Sequence, residues 1–498
     1  METLQFLLAG FAAALTPANL TFALIGCVLG TLIGVLPGLG PAAGTAILIP
    51  ITFNLDPTGA IIMLAAIYYG AMYGGTITSV LINVPGEAAS VITCIDGHQM
   101  AKRGRAGTAL GIAAIGSFIG GMIAATLLVV VATPLSRLAL SFGPPEFFAL
   151  MLVGLCLVTS LSGRSVFAGI LMTVCGLLLA MIGIDPVRGA PRFTFGITEL
   201  YDGIGFIPVV MGLFGIGEIL ATADKPVRQV VTTKLTNLLP SRDEWRRSLG
   251  AIARGTGLGF FLGLIPGIGS IIPTFMSYIL EKRISKTPEQ FGQGAIEGIA
   301  GPETANNAYA NASMVPLLTL GIPSSPTIAV LMGAFIVNGL TPGPFLFQER
   351  PDLVWAVIAS FFIGNVMLLV LNLPLVGLWA KLLDVPFHYI AVGTLLFCIV
   401  GAYSINQSVF HVWVMLGFGV IGYLLRKLDF PLAPAVLGLI LGPMLEKSLR
   451  TSLEMSAGSF SIFLTRPICA GLLAFSVLIL AVSAFNLTPK EVRGESAD

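Results

Sequence analysis

Charge is what this sequence has least of. Asp, Glu, Lys and Arg together make up 10% of 498 residues, where a soluble globular chain carries about 25%. That scarcity excludes an ordinary soluble enzyme. With 55% apolar residues and a mean hydropathy of +0.93, it predicts an all-α polytopic integral membrane protein. A net charge of +1 gives no sign of a nucleic-acid or acidic partner. Close cysteine pairs are missing too: the six, at 27, 94, 156, 175, 398 and 469, read as small apolar packing residues. His98, His388 and His411 lie far apart without metal-ligand spacing, so no metal or resident cofactor is expected. No G-x-x-x-x-G-K-[ST] loop occurs, and no soluble segment is large enough for a nucleotide domain, which speaks against a self-contained ATP-driven pump. The N-terminus lacks a basic n-region, Glu2 being its only charge before Asp56. Residues 3–15 therefore read as a retained apolar or interfacial segment, not a cleaved leader.

What is present is long apolar sequence. Runs of roughly the 20 residues a bilayer needs cover 58–83, 107–133, 146–161, 165–184, 203–222, 353–380, 388–405, 408–425 and 467–487. Broken or short stretches cover 20–53, 255–280, 292–320, 326–340 and 431–445. Together they predict about 12 transmembrane spans. The longest polar connection, 223–254, is rich in Lys and Arg. Such an excess marks the cytoplasmic side, as it does for the loop with Lys102, Arg103 and Arg105 and for Arg426 and Lys427.

Two breaks share a template. "GTLIGVLPGLG" (30–40) and "GFFLGLIPGIG" (259–269) both read Gly, three residues, Gly, two residues, then Pro-Gly-Leu/Ile-Gly. Their flanks differ. Arg246, Arg247 and Arg254 precede the second, and Glu281, Lys282, Arg283 and Lys286 follow it. Basic residues on both sides favour a re-entrant hairpin over a straight span, with both ends in the cytoplasm. The first is flanked by Thr16, Pro17, Asn19, Asn54 and Asp56 and by no Lys or Arg, as an element approached from outside would be. Opposite orientation of one element is the mark of an inverted-topology repeat. "YYGAMYGGTITSVLINVPGEAAS" (68–90) and "GPETANNAYANASMVPLLTLGIPSSP" (301–326) extend the match when Pro85 is set against Pro323, which sets Gly74 and Gly75 against Ala312 and Ser313. The predicted organisation is a first repeat (1–222, helix broken at 30–44), a basic cytoplasmic linker (223–254), a second repeat (255–487, helix broken at 259–273) and a polar tail (488–498).

Irregular backbone at membrane depth survives only where protein buries it or it lines a cavity. Pro37 and Pro266 interrupt the helix. Gly38, Gly40, Gly267 and Gly269 permit positive φ and close backbone approach. A half-helix beginning after the break offers N–H groups to a carboxylate; one ending before it offers carbonyls to a cation. Close helix packing is the competing use of Gly-x-x-x-Gly, but two copies in opposite charge contexts favour a transport site. Candidate substrate-binding residues are Pro37, Gly38, Gly40, Pro266, Gly267, Gly269, Ser270, Asn307, Asn311, Ser324 and Ser325. Candidate cation-binding residues are Thr76, Ser79, Asn83, Glu303, Asn306 and Ser313. Glu303 reads equally as a cation ligand or as a cap on a helix starting after Pro302. No Lys or Arg lies in either break or in 301–326, so the site is neutral and a co-bound cation supplies positive charge.

At "GTLIGVLPGLGP", "GLIPGIGS", "GPETANNAYANASMVPLLTLGIPSSPTIAVLMGAF" and "GLTPGP" the chain resembles the large membrane subunit of the tripartite tricarboxylate transporters, the TctA family, over roughly 15–480. The resemblance implies a multi-pass secondary carrier of the bacterial inner membrane, working with a small TctB-like membrane subunit and a periplasmic TctC-like solute-binding protein. It implies uptake of di- or tricarboxylates or related organic acid anions, driven by an Na⁺ or H⁺ gradient, and an elevator-like movement is a weaker analogy. "YANAS" (309–313) and "PSSP" (323–326) carry side chains where the family is more often Gly-rich, so citrate is not assigned. Two other readings compete. "YDG" (201–203) and "GIGE" (215–218) faintly suggest an intramembrane protease, but Asp202 and Glu218 are not a facing aspartate pair. A passive channel would conduct without a binding protein.

Overall fold

The computed structural model describes residues 2–36, 39–161, 165–185, 189–223, 237–383, 385–405 and 407–484. Pro37, Gly38, residues 224–236 of the basic linker and the polar tail lie outside the described residues. Apart from one two-stranded hairpin, Gly183–Ile184 with Pro191–Arg192, the described elements are helical. Six helices are long and apolar enough to cross a membrane: Pro17–Val35, Pro57–Ile82, Ala106–Ala139, Pro351–Asn372, Val409–Lys427 and Leu432–Met455. Eight shorter apolar helices accompany them. The chain is an all-α polytopic membrane protein. Two expectations change in detail. Residues 431–445, expected as a short or broken stretch, belong to the unbroken Leu432–Met455 helix, which takes Pro443 inside it. The run 353–380 is not one helix: it ends at Asn372 and resumes at Val376–Leu382.

Both breaks fold as hairpins. The first joins Pro17–Val35 to Gly40–Leu48. A Cβ on Gly44 would lie 2.5 Å from the Ile33 side chain, so the arms touch just past the turn. The second joins Arg242–Gly263 to Ile271–Ile284. Arg254 donates two bonds to Glu281, 2.8 and 2.7 Å long. At 1.5 Å of rise per residue, these two residues stand at about the same distance from the turn, one on each arm. The arms therefore lie side by side.

A second helix then covers each hairpin. Pro57–Ile82 packs on Pro17–Val35, and Glu297–Ala312 packs on Arg242–Gly263. The contact surface is glycine. A Cβ on Gly26, Gly30 or Gly34 would lie within 2.4 Å of the carbonyl oxygens of Met63, Ile67 and Ala71 respectively. Gly255, Gly259 and Gly263 approach the carbonyls of Gly301, Ala305 and Tyr309 in the same order, at 2.3, 2.2 and 3.0 Å. Such i, i+4 ladders of small residues let two backbones touch. Each contacted residue in the first half is 238 positions from its counterpart in the second, as Pro85 is from Pro323. The covering helices also stop alike. Asn83 (φ 53°) ends the first, and Gly321 (φ 69°) ends Met314–Leu320, the helix that continues the second, both in the left-handed region, the usual helix-stop geometry. They too are 238 positions apart.

Charged residues gather at helix ends. One set pairs Arg105 with Glu244, Arg247 with Glu297, Arg254 with Glu281 and Arg426 with Glu218. Another pairs Arg192 with Glu446, Arg450 with Asp185 and Arg466 with Glu146. Counted as successive crossings from the 102–105 loop, Ala106–Ala139, Pro144–Leu161, Val166–Ala180 and the 206–223 helix bring the first set to one side and the second to the other.

Candidate functional site

Each hairpin lies against the second break of its own half. In the first half that break is residues 83–87. A Cβ on Gly86 would sit 2.2 Å from the Gly34 carbonyl oxygen and 2.7 Å from Thr78 Oγ1. In the second half it is 321–325. The Gly269 N–H donates to the Ser324 carbonyl at 3.2 Å. Tyr309 donates its hydroxyl to the same oxygen at 3.0 Å, and Ser324 Oγ donates to the Ser313 carbonyl at 3.4 Å. The helices that follow the breaks are exchanged between halves. Gly40–Leu48 packs on Pro326–Val337, and Ile271–Ile284 packs on the turn 88–90 and on Val91–Lys102.

The predicted substrate residues divide. Gly40 (φ 60°) and Gly269 (φ 71°) have positive φ and open space where a Cβ would project. Gly267 also has positive φ (82°), but it is buried, and a Cβ there would lie 2.8 Å from Val158 N and Cγ2. Pro266 and Ser270 are half-buried beside it, and Ser270 precedes Ile271–Ile284 without a side-chain cap. Ser325 caps Pro326–Val337 by accepting the Ile328 N–H. Asn307 and Asn311 share a face: Asn307 donates to Ser117 Oγ at 2.7 Å, and Asn311 donates to the Asn307 carbonyl at 2.9 Å. Their side-chain oxygens are buried without a hydrogen-bond partner.

The predicted cation residues form a second group around Glu303. Its helix begins at Glu297 and runs through Pro302, so Glu303 does not cap a helix start. Thr76 donates to Glu303 Oε2 at 2.6 Å, and Thr93 donates to Oε1. Asn306 donates to Glu87 Oε1 at 2.5 Å. Ser79 bonds Ser90 at 3.0 Å, and the Ser90 N–H caps onto the Glu87 carboxylate. Ser313 bonds the Tyr68 hydroxyl at 3.2 Å. Asn83 terminates Pro57–Ile82 in the left-handed region. Pro37 and Gly38 fall outside the described residues.

Glu87, Thr93, Ser90, Ser117, Tyr68 and Tyr309 belong to these networks, yet motif reading passed over them. Glu87 had a signal: it sits 238 positions before Ser325, and both residues cap the helical turn after their break. The acids of the protease reading do not face each other: Asp202 is exposed, and Glu218 is held by Arg426 at 2.5 Å.

Compared with known proteins, residues 20–437 match the tripartite tricarboxylate transporter TctA family. An uncharacterized 52.8 kDa protein in the TAR-I ttuC' 3' region of Agrobacterium vitis is 48% identical over 484 residues, covering 97% of this chain and 96% of that protein. An uncharacterized protein in the TAR-II ttuC' 3' region of the same organism is 46% identical over 225 residues, 45% of this chain and 93% of its own. No solved structure matches.

Proposed function

This chain belongs to the tripartite tricarboxylate transporter TctA family, and from that premise we propose that it is the carrier subunit of a secondary uptake system for di- or tricarboxylates or related organic acid anions. A periplasmic binding protein delivers the anion, a small membrane subunit completes the complex, and an Na⁺ or H⁺ gradient in a bacterial inner membrane drives uptake. Alternating access turns on a site at the two pairs of helix breaks.

The observation that carries this reading is the reciprocal meeting of the breaks. Each hairpin abuts the second break of its half, and the following helices cross to the other half. Irregular backbone thus meets its hairpin in both halves of a helical membrane protein, an arrangement membranes tolerate where backbone serves a cavity or ligand. The positive-φ glycines at 40 and 269 leave open space where a side chain would project beside each turn. Beside Gly269 the break carries Ser324 and Ser325, so an anion would be held by neutral dipoles and balanced by the coupled cation. The repeats run with inverted topology: the ion-pair sets supply two membrane faces, and the Lys/Arg-rich face is cytoplasmic.

The test is uptake of radiolabelled di- and tricarboxylates into proteoliposomes holding this chain and the small membrane subunit and binding protein encoded beside it. Saturable uptake that needs the binding protein and an imposed Na⁺ or proton gradient is expected. Flux without the binding protein and without a gradient would make the chain a channel.

A further inference from the structure

Two buried carboxylates are tied together across the halves: Glu303 accepts from Thr76, whose neighbour Gly75 would put a Cβ 2.9 Å from the Glu87 side chain, and Asn306, three residues after Glu303, donates to Glu87. Glu87 (5% exposed) comes from the break after Pro57–Ile82, and Glu303 (1% exposed) from the helix that covers the second hairpin. They lie within electrostatic reach of each other. Every described donor to them is neutral: Thr76 and Thr93 on Glu303, and Asn306 and the Ser90 N–H on Glu87. The other titratable groups within reach are the hydroxyls of Tyr68 and Tyr73 on Pro57–Ile82 and of Tyr309 on Glu297–Ala312. On Val91–Lys102, Asp96 is turned away and saturated by Tyr278 and the N–H groups of Gly292, Gly294 and Ala295. His98 is turned onto the Val80 carbonyl. On Ile271–Ile284, Glu281 is held by Arg254.

We propose that Glu87 and Glu303 share one proton and form the coupling site of the carrier; this rests on the transport reading above. Two like charges in a desolvated site cannot both ionise without a counter-ion, so the pair titrates as a unit. A second observation points to the proton itself. Asn306 is 1% exposed and its amide touches Glu87, yet its Oδ1 has no hydrogen-bond partner. An acid hydrogen on Glu87 is the donor such an oxygen lacks, reached by turning the amide over. Thr76 also lines a cavity of about 10 Å³ with Tyr73, Ser117 and Asn372, room for about one water. The proton binds a carboxylate oxygen from water on one side and returns to water on the other; no other bond changes. Because Glu87 belongs to one half and Glu303 to the other, loading the pair changes the charge at the contact between the halves.

The test needs no substrate, so its outcome is separate from that of the uptake assay. The full-length protein in lipid nanodiscs is titrated in potassium buffer, and the carboxylic-acid C=O absorption is followed by infrared difference spectroscopy. In the native protein one acid absorption should persist at neutral pH and be insensitive to replacing potassium by sodium. The Glu87→Gln/Glu303→Gln double variant should lack it. Thr93→Val removes a hydroxyl that favours ionised Glu303, and should raise proton affinity about tenfold. The native protein alone can overturn the assignment: no acid absorption at neutral pH would do so, and so would its loss on adding sodium at fixed pH. Persistence of the absorption in a folded double variant would place the proton elsewhere.

Discussion

Gly267 and Gly269 stand two residues apart, with backbones of the same sign and opposite surroundings. An alanine at Gly269 meets open space and bears only the left-handed strain, about 1–2 kcal/mol. An alanine at Gly267 bears that strain and also meets Val158 at 2.8 Å, adding an overpacking cost of about 1–3 kcal/mol. Thermal unfolding in detergent should therefore rank the native protein above Gly269→Ala and that above Gly267→Ala. Equal midpoints for the two variants would contradict the geometry. The distinction also sorts function from packing: a bulky residue at Gly267 tests the fold, whereas one at Gly269 tests the site. Sequence alone gave both glycines one role because spacing reports that a backbone bends, not what lies beside the bend. Glu303 was legible as a buried acid in an apolar run. Its partner Glu87 was not, because a Glu after Pro-Gly reads as a loop residue until the fold places it beside Asn306.

At the scale of elements, the two Pro-Gly-x-Gly templates were legible as helix breaks, and the charges around the second as those of a hairpin. The Gly-x-x-x-Gly portion of the template turned out to serve the competing use: Gly30, Gly34, Gly259 and Gly263 seat a covering helix. Gly259→Leu and Gly30→Leu should each lower expression of folded protein and its thermal midpoint, because both Cβ positions meet carbonyl oxygens at 2.4 Å or less. A leucine tolerated at either position would contradict the ladder. The hairpin arms make their own prediction. Glu281 is 2% exposed while Arg254 is 42% exposed, which places the pair between surface and buried cases. Arg254→Ala should cost roughly 1–3 kcal/mol, read as a lower thermal midpoint. The Arg254→Glu/Glu281→Arg exchange should recover part of it; an exchange worse than either single change would mean the arms do not face each other there.

For the whole molecule, internal duplication was visible only in fragments. The templates align at a spacing of 229 and the covering helices at 238. No single register joins them, because the second half has nine more residues between its hairpin and its covering helix. Those residues lie in the 285–296 connection, which wraps the Asp96 carboxylate in backbone N–H groups, a tertiary contact that leaves no periodic trace. The packing of glycine backbone against carbonyls supplies the register that identity was too low to give. Matching contacts in the two halves support a common plan; the carrier reading further requires that the halves face opposite ways. Single cysteines at positions 54 and 286, introduced as Asn54→Cys and Lys286→Cys after the six native cysteines are replaced, report this directly through a membrane-impermeant maleimide. Intact cells should label position 54 and spare position 286, and inside-out vesicles should do the reverse. Labelling of both positions from the same face would contradict the inverted arrangement, and with it a two-sided site.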